Sequence, residues 1–231
     1  MIGTTVASIA TSNIYELWRP TIERSFVVDP SSSPLQYNHD SSIALFQGLW
    51  FVVWNANENS AEGRAGQYNM VSTSKDLRHW SPPRKVFSDS QSAVNPVPCD
   101  PVSCIQWQPN LFTMRNGSLG CVWSGSNGRD GHVDGSQMVT YLSVLDRVGG
   151  RWTNHAIRFG VNRSATPIVD GTQWLLFASQ NPTILSNGAI LAPVVMTDAA
   201  NVMPPDAPPG CHRCPRRRSS VLISYDDGRR S

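Results

Sequence analysis

Histidine, tyrosine and arginine are the residue types of this chain best suited to proton transfer and to holding a charged ligand. His39 is the first candidate for acid or base, because imidazole titrates near neutrality, and His132 and Tyr68 are further candidates. Arg64 and Arg163 can each hold a carboxylate through two parallel N–H donors. Together these residue types can transfer protons and bind an anion.

A second group of side chains has the types that line sugar pockets, where an indole ring stacks and amides bind hydroxyls. Its members are Trp107, Gln108, Asn110 and Asn181. Each of these residues could instead have a purely structural role. The tryptophan is equally suited to a sheet core, and the two asparagines lie next to prolines, where an amide commonly closes a turn. His132 lies in the glycine-rich stretch 128–135 and is equally suited to an exposed loop.

Cysteine spacing indicates disulfides more than metal binding. Cys211 and Cys214 form a C-x-x-C pair, but a structural zinc needs four ligands and the chain has no second such pair, so a loop disulfide or an insertion is favoured. Cys99 and Cys104 predict a local disulfide in a proline-rich loop. Cys121, within an apolar run, is expected to be the unpaired cysteine. Two glycosylation tripeptides, at Asn116 and Asn162, favour secretion modestly.

The composition excludes several classes of protein. The 231 residues are 40% hydrophobic and 16% charged with a net charge of +2, which argues against a disordered chain and against a nucleic-acid partner. The basic run 216–218 is typical of a solvated loop. No apolar run approaches the roughly 18 residues of a membrane helix. Seventeen Gly and seventeen Pro predict many short strands and tight turns, and hence one all-β domain.

One arrangement occurs three times in the chain: an apolar run, a turn with glycine, and a second apolar run with an aromatic near its end. The copies are residues 43–54, 110–123 and 167–177, and their turn glycines, Gly48, Gly117 and Gly171, lie 69 and 54 residues apart. Each copy predicts a β-hairpin, because glycine allows positive φ at the turn. The spacing leaves room for a second hairpin in each unit.

The second hairpins are predicted from residues 71–80 with 84–87, and from 138–145 with 149–152 and 156–159. Four strands per unit is the design of a β-propeller blade, in which successive sheets bury their faces against each other. About three units are present, so we expect an incomplete ring of three to four blades. On that basis the 231 residues alone are expected to be poorly soluble or inactive.

Two turns match a known motif in part. Ser224-Tyr-Asp-Asp-Gly228 fits the start of the Asp-box, Ser-x-Asp-x-Gly-x-x-Trp, and Ser74-Lys-Asp-Leu-Arg-His-Trp80 is a degenerate copy with Arg78 in place of glycine. Side chains of an Asp-box hydrogen-bond within the hairpin turn. We therefore interpret Asp76 and Asp226 as turn residues and not as catalysts. The motif that begins at Ser224 is cut short at Ser231, where the tryptophan should stand, which suggests a truncated chain end.

Through these motifs residues 14–231 resemble the Asp-box propellers, which include sialidases and the L-rhamnose-α-1,4-D-glucuronate lyases with their related rhamnosidases. The opening strand 35–43 offers His39 where a sialidase would present an arginine, and it looks like the first blade of the lyases. Further similarity lies in the segments 54–58, 63–67, 107–110 and 179–188.

The resemblance implies a secreted carbohydrate-active enzyme that removes terminal rhamnose from glucuronate-containing plant glycans by β-elimination or hydrolysis. The alternatives are an exo-sialidase-type glycosidase and a catalytically inactive glycan-binding propeller. It implies an N-terminal extension over residues 1–13 and a propeller over 14–231 with a Pro/Cys/Arg-rich loop at 203–219. Its implied partner is an oligo- or polysaccharide, with no membrane partner, no cofactor beyond a possible calcium ion, and a monomer at full length.

Overall fold

The computed structural model describes residues 23–29, 31–58, 62–97, 104–127, 138–159, 168–169, 172–178, 180–198 and 217–224. These residues form fourteen β-strands and no helix. The described part of the chain therefore has no helix with the length and hydropathy of a membrane span. The all-β prediction is confirmed.

The first sheet is a four-stranded antiparallel meander that begins at the predicted opening strand. Its strands, in spatial order, are β1 (Tyr37–Phe46), β2 (Leu49–Asn57), β3 (Tyr68–Ser74) and β4 (Arg84–Lys85). Gly48 adopts φ +78° in the β1–β2 turn, a conformation that glycine takes without steric cost. The first repeated hairpin is thus formed as the sequence predicts.

The second sheet repeats this meander. Its strands are β6 (Cys104–Thr113), β7 (Leu119–Asn127), β8 (Val139–Leu145) and β9 (Trp152–Ala156). The short strand β5 (Ala93–Val94), which follows the first sheet along the chain, pairs in parallel with the outer strand β9. This pairing fastens the connection from the first sheet to the second. Residues 156–159, predicted as a separate strand, are instead the end of β9 and a following loop.

The third sheet contains β10 (Ile168–Val169), β11 (Thr172–Ala178), β12 (Thr183–Ile184), β13 (Ile190–Asp198) and β14 (Arg217–Ser224). Strand β13 pairs with β11 and β12 on one side and with β14 on the other. The third repeated hairpin corresponds to β10 and β11. The three sheets follow the three repeats of the sequence.

The main core lies between the first two sheets. Phe87 stacks on Trp123 at a centroid distance of 4.8 Å, and Trp123 stacks on Tyr141 at 4.5 Å. The Trp123 indole donates to Ser143 Oγ at 2.8 Å, so its polar N–H is satisfied although the ring is buried. Cys121 is buried in the same cluster and is free, as predicted, whereas the predicted Cys99–Cys104 and Cys211–Cys214 pairs fall outside the described residues or their side chains.

The turn at Ser74–Trp80, between β3 and β4, is built from its own side chains. The Asp76 carboxylate accepts hydrogen bonds from the backbone N–H groups of Arg78 and His79, both at 2.9 Å. Ser74 Oγ accepts from the Leu77 N–H, also at 2.9 Å. Asp76 is therefore a turn residue, as predicted, while the assignment of this turn as an Asp-box stays a prediction. Residues 225–228 of the other turn, Asp226 among them, lie beyond the described residues.

Candidate functional site

Matching irregularities in β1 and β6 shape one end of the sheets. His39 pairs with Asn55 and Ser42 with Val53, so Asp40 and Ser41 together oppose a single residue of β2. Asp40 has φ +51°, in the left-handed region that non-glycine residues seldom occupy. Such bulges change the direction of side chains and are common beside functional sites. The bulge in β1 therefore sets the position of the Asp40 carboxylate next to His39.

The β6 bulge has the same form. Trp107 pairs with Ser124 and Asn110 with Val122, and Gln108 between them has φ +43°. The Asn110 side chain donates from Nδ2 to the Gln108 carbonyl at 2.8 Å, which closes the bulge. Asn110 thus has the turn-closing contact that was its structural alternative. Its predicted sugar contact stays a prediction.

A cluster of three titratable side chains lies at the β1 bulge. His39 Nδ1 is 3.1 Å from Asp40 Oδ1 and 3.8 Å from Glu62 Oε1, and one ligand atom from each residue lies within 4.8 Å of the others. The side chains of His39, Asp40 and Glu62 are 55%, 23% and 44% exposed. Glu62 comes from the β2–β3 loop. The cluster is therefore open to solvent and offers two carboxylates side by side.

Tyr37 lies directly beside this cluster. Its ring centroid is 5.8 Å from that of His39. Burial, followed by the negative charges of Glu62 and Asp40, raises the pKa of the Tyr37 phenol well above its ordinary value. The phenol is therefore protonated at neutral pH and can act as a hydrogen-bond donor. Its hydroxyl is buried and has no partner of normal hydrogen-bond geometry.

A layer of buried polar atoms lies around the two bulges. Asn55, opposite His39 on β2, and Asn69, opposite Asn55 on β3, are both fully buried, and neither side-chain amide has a hydrogen-bond partner among the described residues. The same holds for Tyr37 Oη, Asp40 Oδ2, Trp107 Nε1, Gln108 Oε1 and Ser126 Oγ. Buried polar atoms without protein partners commonly bind ordered water or a ligand.

A cleft of about 1710 Å³ runs along the outer face of the first sheet and includes His39 and Asp40 in its wall. Trp54 and Trp80 also line it, together with Phe26, which is 76% exposed. Ser25, Phe26 and Arg24 come from the segment before β1. The cleft thus combines an acidic end with an aromatic wall.

The structure connects two of the predicted sites through a residue that the sequence analysis missed. Ser42 Oγ donates to Asn181 Oδ1 at 2.8 Å and accepts from the Leu111 N–H at 2.9 Å. Ser42 belongs to the first sheet, Leu111 to the second and the Asn181 loop to the third. Asn181 therefore reaches the opening strand, three residues from His39, and joins all three sheets there.

Arg64 is in the same loop as Glu62, and its side chain is exposed. Its carbonyl accepts hydrogen bonds from Asn57 Nδ2 and from the Gln67 N–H. No ion pair of the Arg64 guanidinium occurs among the described residues. The carboxylate-binding role assigned to Arg64 stays a prediction, and Arg163 and His132 lie outside the described residues.

Tyr68 and Trp107 are both buried, Trp107 in the core position that was its structural alternative. The roles of Tyr68 in proton transfer and of Trp107 in sugar stacking stay predictions. Tyr68 is buried with Trp54 and Met70, the Lys85 ammonium lies 3.5 Å from its ring centroid, and it is absent from the wall of the His39 cleft. Trp107 is buried, with its ring edge-on to Phe177 at 5.9 Å and under Gly63 of the β2–β3 loop. Trp107 is thus a core residue here, which leaves little of its ring free to stack on a sugar.

His39, Asp40 and Glu62 are also the residues that could hold a metal ion. One imidazole and two carboxylates suit a transition metal better than calcium, because calcium prefers oxygen ligands. The calcium ion implied by resemblance therefore stays an expectation. Glu62, Asp40 and Tyr37 were missed by the sequence analysis. Their only signal there was proximity: Tyr37 and Asp40 flank His39, and Glu62 lies two residues before Arg64.

Comparison with known proteins gives structural matches only. No family model and no curated protein matches the chain. The Hadza microbial sialidase Hz136 matches with a TM-score of 0.59 at 14% identity over 83% of this chain and 36% of its own. Trypanosoma rangeli sialidase in complex with 2,3-difluorosialic acid matches with a TM-score of 0.59 at 16% identity, over 84% and 29%.

A Dyadobacter fermentans protein of unknown function matches with a TM-score of 0.54 at 16% identity, over 83% of this chain and 52% of its own. The chain thus spans about a third of the length of the two sialidases. Identity at this level carries information about the fold alone. Over its described sheets, this chain has the β-propeller fold of the sialidases.

Proposed function

We propose that this chain provides the catalytic cleft of a retaining glycosidase with a sialidase-type propeller, in which Asp40 and Glu62 form the reacting pair. The observation that carries the proposal is the placement of these two carboxylates within 4.8 Å of each other beside His39, where His39 and Asp40 line a solvent-open cleft and Glu62 lies outside its wall. Retaining glycosidases hold their two carboxyl groups about 5–5.5 Å apart. The saccharide partner and the glycosidase class also agree with the sialidase neighbours.

In this proposal Glu62, the more exposed acid, is the nucleophile. Its carboxylate forms a bond to the anomeric carbon while the bond from that carbon to the leaving oxygen breaks, and Asp40 gives its proton to that oxygen. A water then attacks the glycosyl ester, Asp40 takes the water's proton, and the Glu62 carboxylate is released. His39, in contact with both carboxylates, exchanges protons with the pair. Tyr37 is a positioning residue whose protonated phenol is expected to donate a hydrogen bond to Glu62 when the sugar is bound.

The test is hydrolysis of a panel of 4-nitrophenyl glycosides by the full chain and by Glu62→Gln and Asp40→Asn. Turnover of the cleaved glycoside is expected to fall by roughly 100-fold or more in each variant, while the melting temperature stays close to that of the wild type. Glu23→Gln is the matched control, because Glu23 lines the same cleft but pairs with Arg78 at its far end. Wild-type turnover in Glu62→Gln would overturn the proposal.

A non-catalytic glycan-binding role is the second candidate. It is favoured by the burial of Asp40 Oδ2 and of the Tyr37 hydroxyl, which keeps part of the cluster away from a bound sugar. A chain that binds a glycan but cleaves none of the panel would support this candidate over the first.

The rhamnose-removing lyase has less support. The structural neighbours that carry a function in their names are sialidases, and none of those described is a lyase. Elimination requires the sugar carboxylate to be partly neutralised. The cluster of His39, Asp40 and Glu62 contributes two further carboxylates, which oppose that neutralisation. Incubation with gum arabic separates the two reactions, since elimination produces the absorbance of an unsaturated uronate and hydrolysis does not.

A further inference from the structure

We infer that the sugar bound at this cleft is uncharged, such as a neutral hexose or an N-acetylhexosamine, and does not carry a carboxylate. This inference rests on the proposed function, because it names the substrate class of the same site. It is argued from charge, from hydrogen-bonding capacity and from the cleft wall.

The local charge disfavours an anionic sugar. Asp40 and Glu62 both face His39, and within the described ranges His39 is the only residue with which either makes an ion pair. With Asp40 protonated as the proposed acid, Glu62 still carries a negative charge, and a sugar carboxylate would place a second negative charge close to it. Like charges at such distances repel strongly, and more so where the surroundings are partly buried.

The described arginines do not form a clamp that would offset this repulsion. Arg78 lines the cleft but is paired with Glu23 at 2.7 Å. Arg24 lines the cleft singly, and Arg64 lies in the neighbouring loop with an exposed side chain. Binding of a carboxylate by arginine is strongest when the guanidinium meets it bidentately in a fixed geometry, and neither Arg24 nor Arg64 is fixed by an ion pair within the described residues.

The buried polar layer matches hydroxyl groups better than carboxylates. Both the donor and the acceptor atoms of the Asn55 amide lack partners, and so do those of Asn69. A hydroxyl or a water can donate and accept, whereas a carboxylate only accepts. Asn55 pairs with His39 and lies on the opposite face of the sheet from Trp54, and neither amide lines the cleft. These buried amides would therefore reach sugar hydroxyls only at the His39 end, through ordered waters.

The wall of the cleft suits the apolar face of a pyranose ring. Phe26 is 76% exposed there and Trp80 is partly exposed, so these two rings form the accessible part of the wall, whereas Trp54 is buried behind them. Sugar and cofactor sites combine such apolar walls with a few polar groups. A neutral ring can thus rest on this wall with its anomeric carbon near the acidic end of the cleft.

The experiment compares matched sugars that differ only at one carbon. Methyl 1-thioglycosides of glucose and galactose, which resist hydrolysis, are titrated into the full chain alongside those of glucuronic and galacturonic acid, and Kd is measured by ligand-observed NMR. N-acetylglucosamine and N-acetylneuraminic acid are titrated separately as a neutral and an acidic amino sugar, outside the matched pairs. At least one neutral sugar is expected to bind roughly tenfold or more tightly than its acidic partner. Equal or tighter binding of the acidic partners, or binding of neither class, would overturn the inference.

A charge-removal variant tests the cause. In Asp40→Asn/Glu62→Gln the acidic sugar is expected to gain at least about fivefold in affinity relative to its neutral partner, whereas Glu23→Gln leaves the ratio unchanged. An unchanged ratio in the double variant would overturn the role of these carboxylates in specificity.

The outcomes separate this inference from the proposed function. Binding of neutral sugars without hydrolysis of any glycoside would contradict the glycosidase and support the inference. Hydrolysis of sialosides that depends on Glu62 would support the glycosidase and overturn the inference.

Discussion

The Tyr37 phenol illustrates how burial and charge fix the role of one side chain. Burial and the neighbouring carboxylates raise its pKa, so it is an uncharged donor and not a nucleophile at neutral pH. A donor beside Glu62 restricts where that carboxylate can lie. The contribution of Tyr37 to catalysis is therefore expected to come from positioning.

If Glu62 is the nucleophile, as proposed, Tyr37→Phe is expected to lower kcat by roughly 10- to 100-fold with a smaller change in KM, because the donor that would orient Glu62 is lost. Tyr141→Phe is the matched control, since Tyr141 is also a tyrosine with a pKa raised by burial but stacks on Trp123 in the core. Steady-state kinetics of both variants measure kcat and KM. If the two variants have the same kcat, Tyr37 has no positioning role.

Asp76 predicts a pH dependence of stability. Hydrogen bonds from the His79 side chain and from the backbone N–H groups of His79 and Arg78 hold its pKa well below the ordinary value of 3.8. A carboxyl group whose pKa is lower in the folded state stabilises the fold above its ordinary pKa, and this contribution is lost as the pH falls towards the folded pKa. Asp76→Asn removes it.

The melting temperature of Asp76→Asn should thus lie below that of the wild type at about pH 6, with the difference narrowing from about pH 4 downward. Thermal unfolding followed by circular dichroism between pH 7 and pH 2 measures this. A difference that stays constant over the whole range would show that the variant acts by steric change and not by charge.

At the scale of the strand, Gly120 of β7 shows how a glycine makes room for an aromatic ring. It pairs with Phe112 of β6, and a Cβ atom at this glycine would lie 2.6 Å from Phe112 Cζ. Gly120→Ala is expected to destabilise the fold by about 1–3 kcal/mol, because the ring and Met114 must shift. Urea unfolding measures this change in the free energy of unfolding.

Gly48→Ala is the control, since nothing lies within 4 Å of a Cβ there and only the positive φ opposes the change. Its cost should come from the backbone alone, at about 1 kcal/mol. If Gly120→Ala is as stable as the wild type, then the ring of Phe112 does not lie against the glycine in solution.

The elements were more predictable from the sequence than the site. The hairpins at Gly48 and Gly117 follow from local turn chemistry and apolar alternation, which act over a few residues. Glu62 meets His39 only because the β2–β3 loop folds back onto the opening strand, and the pairing of β1 with β2 decides that position. His39 was identified by its type, whereas the face of β3 that Tyr68 occupies depends on strand register, which residue type does not determine.

For the whole molecule, apolar side chains are exposed on both end sheets. Ile43 and Leu45 of β1 are 47% and 51% exposed, and Val221 and Ile223 of β14 are 50% and 53% exposed. Each pair shares one face of its strand, since side chains two residues apart point the same way. Contiguous apolar faces of this kind promote association.

Ile43→Ser/Leu45→Ser is therefore expected to lower the binding of a hydrophobic dye and the scattering of concentrated samples, with little loss of stability. The control is Val53→Ser, which lies on the opposite, buried face of the sheet and should destabilise the fold markedly. Unchanged dye binding in the double variant would mean that this face is covered in solution.

Cys121, a free cysteine in the described part of the chain, lies between the first two sheets, and its reactivity can report on their separation. Cys121 is completely buried, and burial raises the pKa of its thiol well above the ordinary value, so a disulfide reagent has neither access to it nor a thiolate to attack. Modification requires the Phe87–Trp123 layer to open first. The rate at which Cys121 itself is labelled at increasing urea, separated from the other four cysteines by peptide mass spectrometry, therefore reports how often the two sheets part.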